Sequence, residues 1–248
     1  NLSRSVSPML TTQWHQGAPF KLRFPISTSW TIWAPPGCVT IAVAQIMNYH
    51  QFPRNYCDWS LVNQYNPKKL LEENDQDVLD EVALLSKKVA GGCRVECNFF
   101  GSGETFSTPA KAKRFLRDMG YTGIEKHLGY DADVIKTTLN KGCPVFIGAL
   151  SSSNHGHAWV IDGYLNYENI IKTYNGPATL LETKTVNKLF VHCNWGWQST
   201  RKNGYYASKV FDTRNGPADL SGYPVATRGI DTKNYTWWFR IVTYNKPR

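Results

Sequence analysis

The chain has 248 residues, of which 42% are hydrophobic and 19% are charged. This balance excludes a disordered, collagen-like or coiled-coil protein and leaves enough apolar residues for a buried core. The longest apolar stretches, Val39 to Met47 and Val145 to Leu150, are far shorter than the ~20 residues of a membrane-spanning helix. The net charge of +9 would suit a nucleic-acid partner, but the basic residues are dispersed and consecutive ones occur at most in pairs. We therefore predict a globular protein with no membrane span and no nucleic-acid partner.

Helical spacing dominates the first part of the chain, with apolar runs that begin near Cys38, Leu70 and Pro109. After Pro144 the pattern changes to short aromatic and β-branched runs typical of strands: Val145 to Leu150, His157 to Gly163, Lys188 to His192, Gly204 to Ser208 and Trp237 to Tyr244. Helices followed by strands indicate an α+β architecture. We predict one domain over 1–248, with a mainly helical lobe over about 1–140 and a mainly β lobe over about 141–248. The site is expected in the groove between them.

Six cysteines are spread along the chain, too few for a scaffold built on disulfides. Cys93 and Cys97 are four residues apart, but the second ligand pair that a structural zinc site requires is missing. We predict no metal site and no cofactor. The chain opens on Asn1 without a signal peptide, so we expect any export signal or pro-segment to have been removed.

Cys38 follows Pro35-Pro36-Gly37 and begins an apolar helical run that continues to Tyr49. A thiol in the first turn of a helix lies beside unpaired N–H groups and the positive end of the helix dipole, and both favour the thiolate. This setting predicts a nucleophile, although a cysteine taken alone is more often a buried structural residue.

His157 opens a predicted strand and shares one face of it with Trp159, beside a glycine, Gly156, that leaves room for a neighbour. An imidazole of near-neutral pKa can take a proton from a thiol and return it to a leaving amine. His155 has the same strand parity, so the pattern leaves both histidines open. Asp162 alternates to the opposite face, and we therefore do not predict a Cys-His-Asp triad.

Asn194 ends a later strand and precedes Trp195, Gly196 and Trp197. Its side-chain oxygen is suited to orienting an imidazole, while Trp195 would shield that hydrogen bond from water. Taken alone, an asparagine at a strand end is more often a turn residue. A cysteine at a helix start, a histidine opening a later strand and then an asparagine nevertheless follow the papain-type chain order.

Three segments resemble those of the streptopain family of secreted bacterial cysteine peptidases. They are Gly37 to Pro53 around the cysteine, Gly156 to Gly163 around the histidine, and His192 to Trp197 around the asparagine. The resemblance extends from about Trp14 to Tyr206. It implies a papain-like fold with a cleft between two lobes, and peptide-bond hydrolysis through an acyl-enzyme without a metal.

The resemblance also implies roles for individual residues. Cys38 becomes the nucleophile and His157 the general base and acid, with Asn194 and Trp195 orienting and shielding the imidazole. Which of the last two contacts the ring stays open. The predicted substrate-binding residues are Trp197, Trp159, Gly156 and His155.

Acyl transfer also needs hydrogen-bond donors for the oxyanion of the tetrahedral intermediate. The backbone N–H of Cys38 is expected to supply one. Gln45 is excluded as the other, because it lies seven residues up the helix, roughly 10 Å from Cys38 at 1.5 Å per residue. Gln16 lies in a stretch that resembles the family's N-terminal segment, and the resemblance makes it the second donor.

Two departures from the family pattern bear on substrate preference. Gln198-Ser199 follow the second tryptophan where relatives usually have two glycines, and the segment from Tyr164 to Leu189 is longer than the family's minimal hairpin. Neither change removes a predicted catalytic group.

We therefore predict a secreted or cell-surface cysteine endopeptidase that acts on polypeptides as a monomer. By resemblance, an inhibitory pro-segment controls it. One alternative is a non-catalytic peptide- or glycan-binding protein on the same fold, which 9 tryptophans and 13 tyrosines would suit. Against it, Cys38, His157 and Asn194 are all present. The other is a Cys-His acyltransferase or amidase, which the sequence does not separate from a peptidase.

Overall fold

The helices precede most of the strands along the chain. The structure, a computed structural model, describes residues 2–24, 34–97, 105–176, 179–197, 202–218 and 233–248. The helices are α1 (Cys38–His50), α2 (Trp59–Val62), α3 (Gln76–Gly92), α4 (Pro109–Asp118) and α5 (Ala132–Asn140), with a 3₁₀ helix at Leu71–Glu73. The strands are β1 (Leu2–Val6), β2 (Glu96–Cys97), β3 (Thr105–Phe106), β4 (Glu125–Leu128), β5 (Val145–Ser151), β6 (Gly156–Asn175), β7 (Thr179–Asn194), β8 (Gly204–Ala207), β9 (Phe211–Asp212) and β10 (Asn234–Thr243). No helix in the described ranges is long and apolar enough to cross a membrane.

Helix α1 is the central helix, since every residue from Val39 to Asn48 is buried. A helix is buried all round only where other elements cover all its faces. Here α3, α4, β5 and β6 all contact it. The helix ends where Gln51 adopts a left-handed conformation with φ of +46°. Cys38 is its first residue, as the Pro-Pro-Gly sequence predicts.

A large antiparallel sheet packs against α1. Its strand order is β4-β10-β5-β6-β7-β8, with β1 added to β6 and β9 to β10. Side chains alternate between the two faces, so that Phe146 joins the core cluster around α1, whereas Val145 and Ile147 join a second cluster with α5. The sheet is therefore buried on both faces along β5, which explains the continuous apolar run there. Helices packed on an antiparallel sheet confirm the predicted α+β class.

Strands β6 and β7 form a long hairpin whose far half leaves the body of the protein. The pairing runs from Val160–Asn194 to Asn175–Thr179. The first part of β6 is buried, whereas every residue from Glu168 to the strand end is exposed. The long segment from Tyr164 to Leu189 is thus an extension of the sheet.

The N-terminal segment is tied to the sheet and to α1. Strand β1 pairs with β6, and the backbone N–H of Leu10 donates to the buried carboxylate of Asp162 at 2.8 Å. The other oxygen of that carboxylate lies 2.6 Å from Nδ1 of His192. Further along, the hydroxyl of Thr12 donates to the side-chain oxygen of Gln45 at 2.7 Å. These contacts hold residues 10–12 against the core and lead the chain towards the start of α1.

The cysteine side chains that the structure describes are all free thiols: Cys38, Cys57, Cys93, Cys143 and Cys193. The side chain of Cys97 lies outside the described part of the chain. No disulfide therefore forms among those five residues.

The ring of His50 lies among tyrosines at the end of α1. Its Nε2 is 3.2 Å from the hydroxyl of Tyr244, and the ring packs edge-on against Tyr49 and Tyr121. Burial, with a smaller effect of Lys246, lowers the pKa of His50 to about 4. In the unfolded chain a histidine takes up its proton near pH 6.5. The unfolded state thus binds more protons between pH 6.5 and 4, and stability falls as the pH is lowered through that window.

Replacing His50 with glutamine is expected to flatten this acid dependence, because the glutamine takes up no proton in either state. The free energy of unfolding, measured in urea from pH 8 to pH 4.5, should show a slope reduced by up to about 1.4 kcal/mol per pH unit below pH 6.5. At pH 8 His50 is neutral in both the folded and the unfolded state. The difference in the free energy of unfolding between the two proteins at that pH therefore measures only the packing that the substitution removes. Equal slopes in the two proteins below pH 6.5 would contradict the burial of a neutral His50.

Candidate active site

A pocket of about 560 Å³ opens beside the start of α1. Cys38 and His157 both line it, although they are 119 positions apart along the chain. Gln16, His155 and Gly156 line it as well. The structure thus brings five of the predicted site residues together. Within the described ranges no three His, Cys, Asp or Glu side chains are grouped as ligands for a metal ion.

Gly37 places Cys38 at the first position of α1. It is the N-cap residue and has a φ of +88°, which residues with a side chain rarely adopt. A Cβ at this position would lie only 2.9 Å from Oγ1 of Thr105. Both the backbone conformation and the close approach of Thr105 therefore require glycine immediately before the thiol.

The thiol of Cys38 is half-buried. Burial raises its pKa, while backbone hydrogen bonds of Ala158, Val39 and Cys38 itself lower it. Burial is the larger effect, so the thiol keeps its proton at neutral pH in the resting protein. The helix start alone therefore does not produce a thiolate, and a base has to take the proton.

His157 is the second residue of β6 and is buried. Its Nε2 lies 2.9 Å from the carbonyl oxygen of Trp195. Because a carbonyl oxygen only accepts, Nε2 donates, and the neutral ring keeps its lone pair on Nδ1. The pKa of His157 is lowered to about 4 by burial; the hydrogen bond to Trp195 raises it and the charge of Lys233 lowers it. The ring is thus neutral at neutral pH and able to accept a proton.

The side chain of Asn194, one of the two residues left open for contact with the imidazole, has other hydrogen-bond partners. Its Nδ2 donates to the carbonyl oxygen of Thr12 at 2.9 Å, and its Oδ1 accepts the backbone N–H of Gly196 at 3.3 Å. Both polar atoms are thus used to hold the N-terminal segment and the turn after β7. The carbonyl of the next residue, Trp195, takes the orienting position beside His157.

Stacked indole rings support the imidazole. The ring of Trp195 is fully buried, with centroid distances of 4.5 Å to Trp159 and 5.2 Å to Trp197. The half-buried ring of Trp197 lies 4.8 Å from that of His157. Trp159 exposes none of its surface, so the predicted contact with substrate is wrong for this residue. Because side chains alternate along the strand, Trp159 points into the second core cluster, where its ring packs against that of Trp195.

Gly196 lets the turn after β7 approach α1. It has a φ of +67°, and a Cβ there would lie 3.0 Å from Cγ2 of Ile41, three residues after Cys38. A larger residue would be strained and would move the turn away from the helix. The close approach therefore helps to set the position of the Trp195 carbonyl relative to the start of α1.

Gln16 reaches the pocket from the N-terminal segment and is half-buried. The turn beside it is fixed by Nδ1 of His15, which accepts the backbone N–H of Gly17 at 3.0 Å. Gln45 is completely buried, bonded to Thr12, and does not line the pocket. Gln45 is thus used inside the fold, and the choice of Gln16 over Gln45 stays a prediction.

Two residues that line the pocket, Lys233 and Trp238, were missed by the sequence analysis. Trp238 has a φ of +54° and lies within a register shift of β10 against β5, between Trp237 and Arg240. Such a bulge re-aims a side chain. The guanidinium of Arg240 lies 4.3 Å above the Trp238 ring. Strand alternation carries no signal for a bulge, and a single lysine in the sequence carries no signal for a pocket.

Of the two departures from the family pattern, the structure describes residues of only the longer segment. Gln198 and Ser199 lie outside the described residues. The extended hairpin from Tyr164 to Leu189 contributes no described residue to the lining of the pocket. In the described part of the chain, this longer segment therefore forms no part of the pocket wall.

A cysteine at a helix start, a histidine at a facing strand and a backbone carbonyl beside its ring are the arrangement expected of a cysteine peptidase. Cys38 and His157 line one pocket between the central helix and the antiparallel sheet. The class of protein follows from this combination of fold and site.

The chain belongs to the Peptidase C10 family, whose family model matches residues 14–206. This is the streptopain family that the three sequence segments resemble, so that prediction is confirmed. The chain is accordingly a cysteine-type peptidase. A direct comparison with curated protein sequences found no match.

Two solved structures from Prevotella intermedia are similar to this chain. Active wild-type interpain A, a cysteine protease, superposes with a TM-score of 0.68 at 22% identity, covering 97% of this chain and 95% of that chain. A fragment of prointerpain A superposes with a TM-score of 0.64 at 21% identity, covering 99% of this chain and 74% of that chain. These similarities confirm the predicted cysteine peptidase fold.

Proposed function

We propose that this peptidase is an endopeptidase that hydrolyses peptide bonds through an acyl-enzyme on Cys38, with His157 as general base and acid. The hydrogen bond from Nε2 of His157 to the carbonyl of Trp195 carries the proposal. It leaves an unprotonated Nδ1 on a ring that lines the same pocket as the thiol. A base beside a thiol, itself oriented by a third group, is the arrangement that activates a nucleophile.

In the first step, Nδ1 of His157 takes the thiol proton while the sulfur of Cys38 attacks the peptide carbonyl carbon. The raised pKa of the thiol and the lowered pKa of the imidazole keep both groups neutral at rest. Proton transfer therefore accompanies substrate attack. The backbone hydrogen bonds of Ala158 and Val39, which favour the thiolate, stabilise the charge that develops on sulfur.

The negative charge then passes to the substrate oxygen. We assign the backbone N–H of Cys38 and the side-chain amide of Gln16 as its hydrogen-bond donors. The position of Gln16 in the lining of the same pocket supports this assignment. One such donor contributes about 3 to 4 kcal/mol to transition-state stabilisation.

The remaining steps return the enzyme to its starting state. As the C–N bond breaks, His157 gives its proton to the leaving amine and an acyl thioester remains on Cys38. A water molecule attacks the thioester, His157 takes the water proton and returns it to sulfur, and the carboxylic acid leaves. Between the transfers, the Trp195 carbonyl stabilises the imidazolium through the Nε2 bond. We assign Trp197, His155 and Gly156 to substrate contact beside this ring.

The proposed substrates are polypeptides, cleaved by a monomeric enzyme that is secreted or held at the surface of a bacterial cell. Resemblance to the streptopain family supports the location. An inhibitory pro-segment is proposed as a partner, supported by the similarity to a fragment of prointerpain A.

Labelling with an epoxysuccinyl thiol inhibitor tests the proposed function. Peptide mass mapping is expected to find the label on Cys38 alone, with parallel loss of casein cleavage. Cys57 is the internal control: it is also half-buried, but burial and the nearby Glu81 raise its pKa to about 12. A folded protein that neither reacts nor cleaves would favour the non-catalytic binding protein. Amide exchange without peptide cleavage would favour the acyltransferase or amidase.

A further inference from the structure

Lys233 is a pocket residue for which the proposed chemistry has no use. It directly precedes β10 and lines the pocket that Cys38 and His157 share. Its backbone N–H donates to Oγ1 of Thr213 at 3.0 Å, and its carbonyl accepts the backbone N–H of Thr213 at 2.9 Å. The hydroxyl of Thr213 also donates to this carbonyl at 2.9 Å, so three hydrogen bonds to one residue hold the backbone of Lys233 in place at the edge of the pocket.

The charge of Lys233 is not balanced by an acid within the described part of the pocket. Among the described lining residues none is an aspartate or a glutamate. No carboxylate of the described residues forms an ion pair with the Lys233 amine. The charge nevertheless reaches the catalytic centre, since it contributes to the lowered pKa of His157.

The rest of the lining strengthens the effect of this charge. Apolar side chains that line the pocket include Pro109, Leu150 and Trp238. Such walls lower the local dielectric constant, so the attraction between an amine and an anion is larger there than in water. A pocket whose described lining has one lysine and no acid is complementary to a carboxylate and repels a second cation.

We propose that Lys233 makes this peptidase selective for an acidic side chain of the substrate close to the scissile bond. The inference rests on the proposed function and adds its substrate class. A glutamate or aspartate of the bound peptide pairs with the amine of Lys233, while a lysine or arginine at the same position is repelled. Both effects increase discrimination, because specificity is a difference between two affinities.

Quenched fluorogenic peptides that differ only in glutamate or lysine, scanned over positions on both sides of the scissile bond, test the inference. The quantity measured is the ratio of kcat/KM for the two peptides in the original protein, in Lys233→Glu and in Lys126→Glu. Lys126 is an exposed residue of β4 outside the pocket lining, so its replacement makes the same change in net charge. The ratio removes any effect on His157 that is common to both peptides.

At one position, the original protein and Lys126→Glu are expected to favour glutamate by about tenfold, which is about 1.4 kcal/mol and within the range of charge-assisted hydrogen bonds. Lys233→Glu is expected to favour lysine there. The preference of the original should shrink as salt is raised, because ions screen a half-exposed pair. Thermal unfolding checks that both variants are folded. If Lys233→Glu does not fold, Lys233→Gln replaces it, and its ratio of kcat/KM for the two peptides is expected to be near one.

A ratio near one at every position in the original protein overturns the inference. So does an acid preference that persists in the Lys233 variants. Since peptides are cleaved in both cases, the proposed function would stand. A folded protein that cleaves no peptide of either series overturns the proposed function and this inference together.

Discussion

The Cys38→Ala protein is expected to lose casein cleavage by about 10⁴-fold or more while keeping its fold. The substitution removes the only atom proposed to form the acyl-enzyme. It deletes a single sulfur from a half-buried position at the start of α1, so the core around the helix loses little packing. Rates with casein and with a fluorogenic peptide, together with the thermal unfolding midpoint, check both parts of the expectation.

Cys57→Ala is the matched control. Cys57 is likewise half-buried and free, and it packs at the edge of the same core cluster, but it does not line the pocket. Its replacement should leave cleavage close to that of the original protein. Cleavage by Cys38→Ala at the original rate would sink the proposed nucleophile, and equal losses in both variants would point to a general effect on folding.

Replacing His157 with glutamine is expected to lower kcat by about 10³- to 10⁴-fold at neutral pH, within the usual range for general acid–base catalysis. A glutamine amide is still able to donate to the Trp195 carbonyl, but it does not take a proton from the thiol. The expected loss of kcat therefore comes from the missing proton transfer, because the hydrogen bond from residue 157 to the turn after β7 is kept. Unchanged thermal unfolding would show that the turn after β7 is intact.

The pH profile distinguishes this explanation from a structural one. The original protein should lose activity as the pH falls through about 4, where His157 becomes protonated and no longer accepts the thiol proton. In His157→Gln the thiol has to ionise unaided, and its pKa is raised above the ordinary value. Residual activity should therefore rise only at alkaline pH. An original-type profile in this variant would contradict the assignment of His157 as the base.

His155→Gln is the control for the second histidine of the same strand parity. His155 lines the pocket but is exposed, and its Nδ1 lies 3.0 Å from the carbonyl oxygen of Ser153. We expect kcat to remain near the original value, with any change confined to KM. A loss of kcat as large as that of His157→Gln would transfer the role of base to His155.

Local sequence rules were sufficient where a residue's environment depends on its near neighbours. The Pro-Pro-Gly sequence stops the loop and starts α1, so the helical position of Cys38 could be predicted. Alternation along β6 similarly predicted that Asp162 points away from His157, and its carboxylate is found on Leu10 and His192. These predictions needed only the periods of a helix and a strand.

The same rules failed where the chemistry lies on the main chain. Any residue carries a carbonyl, so the group that orients His157 has no signature in the sequence. Asn194 is a candidate because its side chain can form hydrogen bonds, but its amide donates to the carbonyl oxygen of Thr12, a residue 182 positions earlier. Trp159 has the expected strand face, yet that face continues into a core cluster that other strands complete.

The sequence by itself determined the family, the α+β class and the two residues proposed for the chemistry, because each depends on motifs and short-range periodicity. The tertiary structure alone decided that the Trp195 carbonyl holds His157, and that Lys233 and Trp238 enter the pocket. These features depend on long-range strand pairing, on a bulge in β10 and on the turn that Gly196 seats against α1. Such contacts join distant parts of the chain, where local patterning carries no information.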